Sequence, residues 1–358
     1  MKMVYANIVY DANVSFGGNA HVFQFIRHAR KQGHEIWTWP NVEHPDCRIL
    51  PDRRLAKLLM LRDCDAVLFR IENSVPERIY MMDRIYRFAL GSPKFVWEIN
   101  TVPEYGLLRG KTQEDVDSVI QTLNRYASAC DLAICVSDKL AEYVRKIIGV
   151  KNVIVVPNGS DPDIFRPDCP VVPRASHFTN YLNVIWIGSA FLDWVDFDLM
   201  QKAAGRVWES ELRDKIMFHV VGNGMPSMRQ MSPNIHYHGA ELYEYLPGWL
   251  AAMDVGLVLY KPGQSDYGSP LKMYDYLASG LAVIATEQPQ AVAVLSELDQ
   301  RDSVVKQGDA ESLISLLDLF LENPDLLEKY KKASRAIAVE KYNWSRTVHS
   351  VFEAIHQA

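Results

Sequence analysis

Residues 254–286 read DVGLVLYKPGQSDYGSPLKMYDYLASGLAVIAT, and this stretch decides the fold. Val255–Leu259 and Ala282–Ala285 are apolar throughout, which is the signature of strands buried on both faces of a parallel sheet. Between them, Pro270–Ala278 has helical spacing. Ser269 is a good N-cap, Pro270 suits the first helical position, and Gly280 supplies the stop. Strand, helix, strand in this order builds a sheet covered by helices.

The same rhythm extends both ways along the 358 residues. Toward the N-terminus of this half, strands are expected at Val184–Ile187, Met217–Val221 and Ile235–His238, with helices at Phe197–Trp208 and Tyr243–Met253. Three helices close the chain at Ala310–Glu322, Pro324–Glu340 and Trp344–His356. The first half repeats the alternation, with strands at Val4–Tyr10, Glu35–Trp39, Ala66–Ile71, Phe95–Ile99, Leu132–Val136 and Val153–Val156. Its helices are expected at Asn19–Gln32, Pro76–Leu90, Glu114–Ser128 and Asp138–Ile148. Val22, Ile26 and Ala29 form one apolar stripe, and Gly33 ends that helix. The Pro-rich stretch FRPDCPVVPRASHFTNY, from Phe165, lacks periodicity and reads as an interdomain linker. The expectation is an α/β protein of two tandem Rossmann-like domains, residues 1–170 and 180–340, with a cleft between them.

Composition narrows the function. The chain is 48% hydrophobic and 23% charged, with a net charge of −6, so it is a folded, mildly acidic protein and a poor nucleic-acid binder. Residues 1–175 carry 23 Lys+Arg against 21 Asp+Glu, while residues 176–358 carry 15 against 23. No apolar run reaches the roughly 18–20 residues that cross a bilayer, and the N-terminal apolar stretch reads as a first strand rather than a signal peptide. The five cysteines have no metal-site spacing; Cys130 and Cys135 read as core residues, and the set suggests a reducing, cytoplasmic compartment. The segment Arg53–Arg62 is both basic and apolar. It reads first as a buried-face helix, and second as contact with a membrane-bound acceptor.

Ligands of open parallel sheets bind beyond the carboxyl ends of the strands, so the loops there hold the candidates. At Ser269–Lys272 the helix N-terminus and its dipole can take a phosphate, and Lys272 adds a cation where the dipole alone disfavours one. Asp275, one turn on, can accept from two ribose hydroxyls. The bland reading is a capped helix with a solvated Lys272–Asp275 pair. Gly17 and Gly18, in SFGGNA after the first strand, allow close backbone approach to a ligand or simply make a tight turn. Gly222-Asn223-Gly224 and Gly188-Ser189 follow strands of the second half and can line a nucleotide pocket. Glu98 and Asn100 fall on one side of a strand end, as candidates for sugar hydroxyls or as a satisfied polar pair. The Asn158-Gly159 turn reads as structural. His236 and His238 share a strand face, but no third ligand completes a metal set, so they too read as structural.

With these residues in view, the chain resembles retaining glycosyltransferases of the two-domain GT-B architecture, family four, also called glycosyltransferase group one. The strings VVPNGSDPDIF and PLKMYDYLASG carry the resemblance most specifically. GGNAHVFQFIRHARKQGHEI, VIWIGSAFLDWVDFDLMQKAA, YEYLPGWLAAMDVGLVLY and KYNWSRTVHSVFEAI extend it over nearly the whole chain. It implies a last helix, 343–358, that crosses back onto the first domain. Of the two glutamates that the family often separates by seven residues, the second matches Asp275, implying a ribose contact; the first falls on Tyr267, with Asp266 beside it. The backbone N–H groups of Leu271 and Lys272 match positions that hold the diphosphate. The family's Arg/Lys pair is absent from SAFLDWVDF, and its histidine near the donor sugar falls on Asn100, which hydrogen-bonds but cannot relay a proton.

The resemblance implies transfer of a sugar from a UDP- or GDP-linked donor to an acceptor hydroxyl, with retention, in glycan, glycolipid or polysaccharide assembly. It implies Lys272, Asn100 and Gly18 at the reacting centre. Gly17, Gly188, Ser189, Gly222, Asn223, Tyr267, Gly268, Ser269, Leu271, Lys272 and Asp275 would surround the donor. No metal and no cofactor is implied. The alternatives are a non-catalytic partner subunit on the same fold, or a nucleotide-sugar epimerase or phosphorylase. The inner face of the membrane is the implied place of any lipid acceptor.

Overall fold

The computed structural model describes residues 1–6, 8, 17–39, 45–50, 62–71, 93–190, 192–224 and 231–358. The expected helix at 76–90, the end of the first expected strand, residues 15–16 and most of the basic apolar segment lie outside the described residues. The chain divides into two units: residues 1–158, 267–269 and 344–358, and residues 159–266 and 270–343.

The first unit holds a parallel sheet of β1 (Lys2–Ala6), β2 (Glu35–Trp39), β3 (Arg48–Ile49), β4 (Ala66–Ile71), β5 (Lys94–Ile99), β6 (Leu132–Cys135) and β7 (Val153–Val155). Their order is β3-β2-β1-β4-β5-β6-β7, so strand order reverses at β1 and β4. Every residue of β4 and β6 is buried, as apolar runs in a covered parallel sheet must be. Helix α1 (Gly17–Lys31) lays Val22, Ile26 and Ala29 against β1. It ends as Gly33 predicted: Gly33 has φ 80°, and its N–H and that of His34 close onto Arg30 and Ala29. Helix α2 (Gln113–Tyr126) opens with a reciprocal capping box between Thr112 and Asp115. Helix α3 (Asp138–Tyr143) continues as a π-turn to Ile148, so the expected Asp138–Ile148 segment is one run of two hydrogen-bond patterns.

The second unit repeats the plan with β8 (Leu182–Ser189), β9 (Ile216–Asn223), β10 (Ile235–Tyr237), β11 (Val255–Val258), β12 (Ala282–Thr286) and β13 (Val304–Val305). The order β10-β9-β8-β11-β12-β13, all parallel, is the Rossmann order with its switch point between β8 and β11. Alternate residues feed two cores. Trp186, Leu257 and Ile284 face one, Ile185, Val258 and Val283 the other. Helices α4 (Phe197–Trp208), α5 (Leu246–Leu250), α6 (Leu271–Ala278), α7 (Pro289–Glu297), α8 (Ala310–Glu322) and α9 (Pro324–Glu340) cover them.

The last helix, α10 (Trp344–Gln357), belongs to the first unit, as the resemblance implied. Trp344, Val348, Val351, Phe352 and Ile355 are its buried stripe. Phe352 stacks on His34 at 3.6 Å between ring centroids, and Gln32 donates to the Ser345 carbonyl. The two α/β units with this returning helix are the fold class expected from the sequence.

Several details differ from the sequence reading. The Pro-rich stretch is packed rather than free: Phe165 is fully buried in a second-unit core, and Arg335 donates to its carbonyl. Residues 159–170, assigned to the first domain, therefore lie in the second unit. The strands β3 and β13, two residues each, and helix α7 went unpredicted. Two residues carry no period, and the apolar Ala-Val-Ala-Val run of α7 does not separate helix from strand.

Candidate functional site

In the second unit the candidates gather at the strand ends. β8 and β9 run two residues further than expected at their carboxyl ends, pairing Gly188 with Gly222 and Ser189 with Asn223. The approach is close enough that a Cβ on Gly222 would strike the Gly188 carbonyl, and one on Gly188 would stand 2.9 Å from Lys272 Nζ. Only glycines fit here. The Gly222 carbonyl accepts from the Tyr237 hydroxyl and the Asn223 carbonyl from the Ala190 N–H.

Helix α6 begins differently from the prediction. Pro270 occupies the N-cap, with ψ 107°, and no side chain caps this end. Ser269 is not the cap, because its hydroxyl accepts from the Asn158 N–H at 3.2 Å and its carbonyl from Asn158 Nδ2 at 2.8 Å. Leu271 and Lys272 form the first turn. The Lys272 ammonium lies 4.3 Å from the Trp186 ring centroid and 5.4 Å from that of Tyr260. Among the described residues no carboxylate pairs with it. Burial against these rings lowers its pKa to about 7. The negative faces of these two rings attract the ammonium.

Asp275 does not pair with Lys272, so the solvated Lys–Asp reading fails. It is 5% exposed, and its Oδ1 accepts from Ser160 Oγ at 2.7 Å and from the Tyr243 hydroxyl at 3.3 Å. Burial raises its pKa to about 7; the two hydrogen bonds oppose the rise and nearby Asp161 adds to it.

The first unit holds the other candidates. Gly17 and Gly18 are the first two residues of α1 and not a loop ahead of it. Tyr267 and Gly268 also belong here. The Tyr267 carbonyl accepts from Ser137 Oγ at 2.7 Å, and its ring meets Tyr143 edge-on at 5.7 Å. Asn100 follows β5, and both polar atoms of its side chain are buried without a hydrogen-bond partner among the described residues.

Glu98 is not free for a ligand. Its Oε1 lies 2.6 Å from His21 Nε2; its Oε2 accepts from the Tyr5 hydroxyl at 2.6 Å and from Arg70 Nη1 at 3.1 Å. Burial alone would raise its pKa, but the His21 and Arg70 charges and the hydrogen bonds from His21 and Tyr5 overcome this and hold it at about 2. His21 Nδ1 continues to Asn158 Oδ1 at 2.9 Å. Sequence reasoning missed His21, Arg70 and Tyr5. The only signal was a charged or polar residue inside each buried run, because the partners lie 28, 77 and 93 positions from Glu98. His238 Nε2 lies 3.0 Å from His219 Nδ1, and no group of three or more His, Cys, Asp or Glu placed to hold a metal ion occurs among the described residues. Cys130 and Cys135 lie in the core of the first unit, where the sequence reading put them. No described helix is long and apolar enough to cross a membrane.

Comparison with known proteins meets this geometry at the second unit. Residues 182–323 match the family described as Glycosyl transferases group 1. These residues are a group 1 glycosyltransferase domain. No curated protein sequence matches the chain. Among solved structures, Anabaena HepE in complex with UDP-glucose is similar at a TM-score of 0.70, with 12% identity and 100% of both chains covered. Sucrose-phosphate synthase from Thermosynechococcus elongatus is similar at 0.66, with 14% identity over 99% of this chain and 98% of that one. WaaG, a glycosyltransferase involved in lipopolysaccharide biosynthesis, is similar at 0.68, with 14% identity over 99% and 100%. At such identities these likenesses speak for the GT-B fold. The group 1 domain contains β8 to α8, and therefore Gly188, Gly222, Lys272 and Asp275.

Proposed function

We propose that this group 1 glycosyltransferase moves a sugar, with retention, from a UDP- or GDP-linked donor to an acceptor hydroxyl in glycan, glycolipid or polysaccharide assembly. The observation that carries the reading is Lys272: a cation in the first turn of a helix without a side-chain cap, facing rings, with no carboxylate beside it among the described residues. Such a cation calls for an anion, and a diphosphate matches both it and the Leu271 and Lys272 N–H groups.

In the reaction, the bond between the sugar's anomeric carbon and the β-phosphate oxygen breaks as a bond to the acceptor oxygen forms. The acceptor proton passes to the leaving phosphate. Lys272 and the helix N–H groups stabilise the charge that grows on that phosphate, so the step needs neither a metal nor a protein base. Asp275 accepts from the ribose hydroxyls. Gly188 and Ser189 with Gly222 and Asn223 line the nucleotide pocket, where small residues let the ligand approach the backbone. Asn100, whose amide has no partner among the described residues, is proposed for a donor-sugar hydroxyl, and Gly17–Gly18 for the reacting centre. Tyr267 and Gly268 keep their proposed place beside the donor, as does Ser269, whose hydroxyl oxygen accepts from the Asn158 N–H.

A thermal-shift screen of UDP, GDP, ADP and their sugars tests the reading. One diphosphate nucleoside should raise the melting point, because a ligand of the folded state stabilises it; no shift from any of them would overturn it. A non-catalytic subunit is the second reading, favoured by Tyr267 in place of the first acid. It predicts little or no melting shift and no release of free nucleoside diphosphate from any nucleotide sugar.

A further inference from the structure

The Tyr267–Ser269 loop, which leads covalently into Pro270 and α6, is held in the first unit by three hydrogen bonds. Ser137 donates to the Tyr267 carbonyl, and Asn158 makes two bonds to Ser269. The orientation of Asn158 has a chemical consequence. A carbonyl only accepts, so the group that Asn158 turns toward the Ser269 carbonyl is its NH2, and its oxygen must face His21. His21 then has an acceptor at each nitrogen, this amide oxygen on one side and the Glu98 carboxylate on the other. Whichever way the ring is turned, both nitrogens must donate, so the imidazole carries two protons. The charge is compensated by Glu98, which Arg70 and Tyr5 hold from β4 and β1. Trp344 packs edge-on to the ring at 5.1 Å and seals it from the α10 side.

We propose that His21 is a positioning residue: held doubly protonated by Glu98, it fixes the Asn158 amide, and Asn158 in turn sets the Ser269 carbonyl and the entry to α6. A neutral ring would present a lone pair to one of two acceptors, and that link would break. The chain Arg70–Glu98–His21–Asn158–Ser269 therefore acts on the nucleotide through the loop, without touching it. This rests on the function proposed above, with α6 as the diphosphate site.

The test is calorimetric titration of UDP and GDP into the wild-type protein, His21→Gln, Asn158→Ala and the double variant, with melting points measured in parallel. A glutamine still reaches one acceptor but cannot donate to both. Each single variant should bind about 10-fold more weakly, as expected for loss of one charge-linked hydrogen bond. The double variant should bind no more weakly than either single, because both break one chain. Equal affinity in the folded single variants, or losses that multiply in the double, overturns the relay while leaving the proposed function standing. A wild type that binds neither nucleotide overturns both. If His21→Gln does not fold, Asn158→Ala decides alone, and wild-type affinity in that variant overturns the relay.

Discussion

Glu98 in the first unit and Lys272 with Asp275 in the second are buried charges treated in opposite ways. Glu98 has two cations and a hydroxyl around it and is held at about 2. Lys272 and Asp275 sit one helical turn apart on α6, yet neither serves the other. The lysine faces indole and phenol rings and the aspartate faces two hydroxyls. Both are pushed to about 7, the lysine down and the aspartate up. A buried charge that the protein has paired is part of its architecture. One that the protein has desolvated and left without an opposite charge is suited to a ligand that brings the missing group.

The largest effect that would break this comparison is on the architectural side. Glu98→Ala should cost about 3–5 kcal/mol, the scale for stranding the partners of a buried ion pair, and should lower the denaturation midpoint accordingly. A midpoint near wild type would show that the Arg70 and His21 charges are solvated after all. Lys272→Ala should leave the fold intact but cut kcat/KM by about 100-fold or more, as for one preorganised charge donor. Turnover close to wild type would remove it from the reaction.

Asp275 sharpens the contrast through pH. Its raised value means that the folded state holds a proton the unfolded chain releases, so its stabilising contribution is present below its ordinary 3.8 and lost as pH rises through about 7. Glu98 works the other way: its contribution is present above its ordinary 4.5 and lost as pH falls through about 2. Melting curves of Asp275→Asn should therefore lose the decline between pH 4 and 7 while keeping the acid-side fall. The smallest effect is proton linkage. At about pH 8 UDP binding should take up roughly half a proton to one proton, because a diphosphate restores the lysine's charge. Calorimetry in buffers of different ionisation enthalpy measures this, and the uptake should vanish in Lys272→Met.

Much of the fold was legible because it is written in local periods. The sequence places β2, β4, α4, α8 and α9 at their observed bounds, each carrying an alternating or largely apolar strand pattern or a clear helical stripe. Lys272 and Asp275 were legible as candidates for the same reason, since a glycine-stopped helix behind an apolar strand signals a strand-end site. Ser269 was misread because a serine before a proline has the chemistry of a cap. Which donor it meets depends on Asn158, 111 residues away. Glu98 stayed open between a ligand group and a satisfied polar residue because alternation along a strand gives its side but not its neighbours.

The sequence by itself determined two parallel α/β layers, the switch from strand to helix at each loop, and the helix that carries Lys272. These follow from apolar spacing, caps and glycines within a few residues of one another. Only the tertiary structure decided which polar groups are spent and which are left over. Pairing Arg70 with Glu98 needs the β4–β5 register, bringing His21 to Glu98 needs α1 packed on the sheet, and isolating Lys272 needs Trp186 and Tyr260 beneath it. Such contacts join residues tens of positions apart, and the energy that selects them exists only once the sheets have formed and excluded water.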